Sequence, residues 1–83
     1  MLEQVRKLLK DHNKLVGANQ VKKAISDGTV RCVIVALDCD YGLRQSLISL
    51  AEKKGLDVIY VPHKAELGSV CGIEVDASVV ALY

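Results

Sequence analysis

Net charge is nearly absent from this sequence: 11 lysines and arginines meet 10 aspartates and glutamates, leaving +1 at neutral pH. That balance argues against a protein that grips a polyanion through bulk charge, since many neutralised phosphates normally supply such affinity. A local basic patch remains open, because distribution matters more than the total. No apolar run approaches the roughly 20 residues that span a bilayer. The first residues, Met1-Leu2-Glu3-Gln4-Val5-Arg6-Lys7, lack the apolar core of a secretory leader. Three cysteines, Cys32, Cys39 and Cys71, show neither metal-ligand nor redox spacing. An odd count without a leader points to free thiols in a reducing compartment. A cytoplasmic protein with no membrane partner is expected.

Catalytic signatures are equally scarce. There are two histidines, His12 and His63, no serine-histidine-acid set, and no phosphate-cradling glycine loop of the dinucleotide or P-loop kind. Asp38 and Asp40 form a D-x-D pattern that in some folds holds a metal. In a loop between a strand and a helix, such carboxylates more often cap the helix or stay solvated. Cys39, placed between them, should have a raised pKa rather than an activated thiol. The chain is therefore read as non-enzymatic, with no catalytic residue, no metal site and no cofactor.

What is present suits one compact domain over residues 1–83. Leu2, Val5, Leu8 and Leu9 recur at helical spacing and predict a helix ending near His12 or Asn13. Residues 14–16 read as extended. Asn19 is the expected N-cap of a second helix with Val21, Ala24 and Ile25 inward, closed at Gly28. Residues 30–37 form a valine-rich run typical of a strand covered on both faces. A helix follows with Leu43, Leu47, Ile48, Leu50 and Ala51 inward. Residues 57–61 are a strand that Pro62 stops. A short helix over 63–70 and a last strand over 78–83 complete the chain. This order implies an α/β fold, a three-layer α/β/α sandwich with a small central mixed sheet.

Two places suit binding. Asn19, Gln20, Lys22 and Lys23 cluster beside Gly17 at a helix start, where free N–H groups favour phosphate and amides can read base edges. The bland alternative is a solvated, well-capped helix start. Residues 67–77 carry Ile73 and Val75 in a loop; such residues either plug the core or form a platform for an unstacked base. The residues alone do not choose between these.

Taken in order, Gly17-Ala18-Asn19-Gln20-Val21-Lys22-Lys23-Ala24, Val33-Ile34-Val35-Ala36-Leu37-Asp38, Val61-Pro62-His63-Lys64, Leu67-Gly68 and Cys71-Gly72-Ile73-Glu74-Val75 resemble one family. It is the L-seven-Ae and L-thirty-e superfamily of kink-turn-binding ribosomal proteins, and the likeness runs roughly from Leu15 to Leu82. The resemblance implies that Asn19 and Gln20 contact the tandem G·A pairs of a kink-turn and that Lys23 touches backbone or base there. It implies further that Ile73, Glu74, Val75 and Asp76 lie over the extruded nucleotide, with Lys64 beside them. Gly17, Lys22 and Lys64 complete the expected RNA-binding set. Three residues depart from the pattern. Gln20 replaces a glutamate, as in bacterial paralogues, Asp27 stands where many members carry an arginine, and Asp76 where the loop is usually small and neutral. The expected partner is a structured RNA with a kink-turn, in the ribosome or outside it, bound by a monomer. The competing expectation is a protein-interaction module of the translation machinery, which the near-neutral charge also suits.

Overall fold

The computed structural model describes residues 2–83, the side chain of Leu2 excepted. Helix α1 spans Leu2–Asp11 and buries Val5, with Leu8 and Leu9 half-buried beside it; the expected inward face of Leu2 lies outside the described residues. His12 Nδ1 donates to the Leu8 carbonyl at 3.0 Å, satisfying one of the acceptors a helix leaves open at its C-terminus. Strand β1, Lys14–Val16, leads into α2, Ala18–Asp27. Val21, Ala24 and Ile25 are buried as their spacing predicts, and Gly28 closes α2 in the left-handed conformation at φ 76°.

The N-cap of α2 is a correction. Gly17, not Asn19, holds that position, at φ 112° and ψ 141°, and no side chain caps the helix. Asn19 is already inside the helix. A side-chain-bearing residue rarely takes that backbone conformation, so glycine is what lets β1 turn directly into α2.

Strand β2, Cys32–Ala36, is buried at every position. The apolar run is longer than the strand: Val30 is buried ahead of it, whereas Leu37, just past its end, is 45% exposed. Helix α3 follows over Tyr41–Lys53, and the Asp40 carboxylate accepts from Leu43 N–H at 3.0 Å as its cap. Leu47 and Ala51 are buried and Leu43 and Leu50 pack against them, but Ile48, expected inward, is half-buried and outside both core clusters. Strand β3 spans Asp57–Val61, α4 spans Lys64–Val70 with His63 as its N-cap, and β4 spans Val79–Leu82.

The four strands lie in the order β1-β4-β2-β3, with β2 and β3 parallel and β4 antiparallel to both β1 and β2. Because successive strand residues point to opposite faces, β2 and β4 divide their side chains between two cores. Val33, Val35, Val79 and Ala81 meet α2 and α3 on one face. Cys32, Ile34, Ala36, Val80 and Leu82 meet α1 and α4 on the other. The three-layer α/β/α sandwich with a small mixed sheet is thus the observed architecture.

Cys39 belongs to the first of these cores rather than to the polar turn its neighbours suggest. Its thiol pKa is raised chiefly by burial; the flanking Asp38 and Asp40 add less, against the opposing pull of Arg44. Burial likewise raises Cys32 and Cys71.

Candidate nucleic-acid interface

Strand directions bring four chain segments to one end of the sheet. There β1 ends, β4 begins, and the parallel strands β2 and β3 both end. The backbone stitches these segments together: Gly17 N–H donates to Val79 O at 3.3 Å, Ala36 N–H to Ser78 O at 2.9 Å, and Leu37 N–H to Val61 O at 2.8 Å. The start of α2, the Asp38–Asp40 turn, the start of α4 and the loop entering β4 therefore share one edge.

Gly17 accepts from Val21 N–H at 3.0 Å, which sets the first turn of α2. Asn19, Gln20 and Lys23 are exposed on that helix, while Lys22 is half-buried. Gln20 and Lys23 lie three residues apart and so share a face. They line a shallow groove of about 320 Å³ with Leu15, Ala24, Asp27 and Thr29. Asp27 thus lines the same groove as Lys23, one turn further along.

Lys64 is held from two sides. Its N–H donates to Asp38 Oδ1 at 2.8 Å, and its carbonyl accepts from Ala77 N–H at 3.0 Å. His63 Nδ1 lies 3.7 Å from the other Asp38 oxygen, an ion pair when the imidazole is protonated. Both carboxylates of the D-x-D accept from a helix start, Asp40 as the N-cap of α3 and Asp38 from across the turn to the first N–H of α4. Among the described residues, no three histidine, cysteine, aspartate or glutamate side chains converge as a metal cluster would.

The loop after α4 is pinned by Ile73 N–H, which donates to Gly68 O at 3.1 Å. Gly68 is buried inside α4, and a side-chain carbon there would collide with the Val75 carbonyl oxygen. Its hydrogen side chain is what lets the loop lie down on the helix. The two β-branched loop residues then separate: Ile73 is half-buried against the α1/α4 core, and Val75 is 69% exposed. Glu74 and Asp76 flank Val75 in solvent. Sequence reasoning did not single out Asp38 as the acceptor for the first N–H of α4 or Gly68 as the seat of the loop. A glycine inside a helical stretch was the available signal for the second.

One edge thus presents two exposed amides on a helix start, three lysines and a bare apolar side chain on a pinned loop. The profile of the Ribosomal protein L7Ae/L30e/S12e/Gadd45 family matches residues 1–83. The chain belongs to that family. It is 40% identical over 68 residues to a Bacillus pumilus "RNA-binding protein", covering 82% of this chain and 83% of that one. It is 34% identical over 68 residues to "RNA-binding protein TTE2299" of Caldanaerobacter subterraneus subsp. tengcongensis, with the same coverage. Among solved structures, the Giardia lamblia 15.5kD RNA binding protein superposes with a TM-score of 0.83 at 26% identity, over 98% of this chain and 68% of that one. A Bacillus halodurans protein of unknown function superposes with a TM-score of 0.78, also at 26% identity, over 83% of this chain and 69% of that one. The family's fold is therefore the fold seen here. No helix among the described residues is long and apolar enough to cross a membrane.

Proposed function

We propose that this chain is a non-catalytic RNA-binding domain over residues 1–83 that recognises and stabilises kink-turns, in the ribosome or in other structured RNA, as a cytoplasmic monomer. The observation that carries this reading is the exposure of Val75, on a loop pinned beside Lys64, at the same sheet end as the first turn of α2. An apolar surface next to amides and cations matches what an unstacked nucleotide and its neighbouring base pairs offer. Gly17 sets the helix start. Asn19 and Gln20 contact the edges of the tandem G·A pairs, and Lys22, Lys23 and Lys64 take phosphates of the closely approaching strands. Residues 73–76 cover the extruded nucleotide, with Val75 as the contact and Ile73 as its anchor in the core. The RNA-binding names of the relatives support the partner class.

A second reading has its own observation. Asp27 in the Gln20–Lys23 groove and Glu74 and Asp76 beside Val75 make this surface mixed in sign, which a protein partner tolerates better than RNA does. Titration of the chain against a kink-turn RNA and a duplex with disrupted G·A pairs separates the two. Kink-turn recognition predicts saturable, selective binding. It also predicts that Lys23→Ala flattens the dependence of log K on log salt by about 0.7–0.9, the contribution of one phosphate contact. Absence of binding to either RNA at low salt would favour the protein partner, and an unchanged slope would remove Lys23 from the phosphate contacts.

A further inference from the structure

The largest concentration of positive charge lies away from the interface just described. Arg6, Lys7, Lys10 and Lys14 fall within nine residues, against the single carboxylate Asp11. In the fold they line one open groove of about 580 Å³, floored by Leu9 and Val70, where α1, β1 and α4 meet. All four cations are exposed, and among the described residues none of them is ion-paired with a carboxylate within 4.0 Å. Arg6 and Lys10 stand four residues apart on α1 and Lys7 and Lys10 three apart, spacings at which like charges repel on a helix surface. Folding gains nothing from this crowding, whereas a polyanion would relieve it.

The groove is separated from the α2 groove by the edge strand β1. Leu15 lines the groove of Gln20 and Lys23, and its neighbour Lys14 lines the basic one. Successive strand residues face opposite ways, so β1 is the ridge between the two. Lys14 opens the strand and Gly17 follows its last residue, a separation of about 10 Å along an extended chain.

We propose that the Arg6–Lys7–Lys10–Lys14 groove is a second RNA-backbone site, which holds phosphates of a stem that crosses the β1 edge from the α2 surface. This inference rests on the reading that the chain binds RNA. Phosphates fit better than the other polyanionic partners. A membrane surface would need apolar side chains to insert, and a protein interface a core of large apolar or aromatic residues. None of the exposed large hydrophobics, Leu37, Tyr41, Tyr60, Val75 and Tyr83, lines this groove.

The test compares the full chain with Arg6→Gln/Lys7→Gln/Lys10→Gln/Lys14→Gln on two RNAs, a plain 20-base-pair duplex and a kink-turn with one arm extended to about that length. A control pair, Lys53→Gln/Lys54→Gln, removes charge at the far end of α3. The expected result is a salt slope flatter by about 3 on both RNAs for the quadruple variant, and about half that for either Arg6→Gln/Lys10→Gln or Lys7→Gln/Lys14→Gln. The control pair should leave the slope unchanged. An unchanged slope in the quadruple variant, with kink-turn selectivity intact, would overturn the second site and leave the first standing. An equal change in the control pair would overturn it too, by reducing the effect to net charge. Loss of binding to vesicles of anionic lipid with no change on RNA would assign the groove to a membrane surface instead. If the unaltered chain binds neither RNA, both proposals fall together.

Discussion

Gly68→Ala should destabilise the protein, although alanine is the better helix former by about 1 kcal/mol. The added methyl would sit on the Val75 carbonyl oxygen, with the Asp76 Cα close behind. Both are backbone atoms of a loop fastened at Ile73 and at Ala77, so they cannot step aside as a flexible side chain would. Overpacking of this kind typically costs about 1–3 kcal/mol, enough to outweigh the propensity gain. The loop would lift, and Ile73 would lose part of its seat on the α1/α4 core. Urea denaturation at constant m-value reads the outcome as a lowered midpoint. A raised midpoint, the result of propensity alone, would contradict the close packing of loop on helix. In binding, the same substitution should weaken capture of the extruded nucleotide while leaving contacts of the α2 surface in place.

Asn19→Ala should separate binding from stability. Asn19 is exposed, lies inside α2 and caps nothing, so alanine should leave stability unchanged or raise it by a few tenths of a kcal/mol, as its higher helix propensity allows. Were Asn19 the N-cap, the same change would cost about 1 kcal/mol. Binding should move the other way. Loss of a good base contact is worth about 1–3 kcal/mol of discrimination, roughly 5- to 150-fold in the preference for a kink-turn over an unkinked duplex. An equal loss on both RNAs would remove Asn19 from base recognition and leave it at most a general contact.

Much of the fold was legible because local chemistry and tertiary packing agree. Val21, Ala24 and Ile25 repeat at helical spacing and are buried together, and a valine-rich run became the strand buried on both faces. Pro62 and Gly28 mark the boundaries where β3 and α2 stop. The failures have physical causes. Asn19 has the chemistry of a cap, but Gly17 alone can take the φ 112° that the turn from β1 demands, and capping preference is a weaker constraint than backbone geometry. Leu37 continues an apolar run but falls past the last paired residue of β2, where no helix covers it. Cys39 sits between two carboxylates yet turns inward, because Asp38 and Asp40 both turn outward to accept from the first turns of neighbouring helices.

For the candidate site, the sequence offered residues and not their placement. Whether Ile73 and Val75 plug the core or face a base was undecided by composition. The structure packs Ile73 against the α1/α4 core and leaves Val75 exposed, since the pin at Gly68 fixes the register of the loop. The placement of Asp27 in the same groove as Lys23 was equally invisible, because it depends on the β1 edge that forms the other wall. The four cations belong to two elements, α1 and β1, and come to line one groove only where α4 packs beside them.

A protein that prefers the folded-back form of a kink-turn shifts its population toward that form, so bending and binding should titrate together. The most direct measurement is end-to-end energy transfer in a doubly labelled kink-turn RNA, followed as the protein is added, beside a duplex with disrupted G·A pairs. Kink-turn recognition predicts a saturable rise in transfer for the kink-turn alone. No rise at low salt, or the same rise for both RNAs, would contradict it.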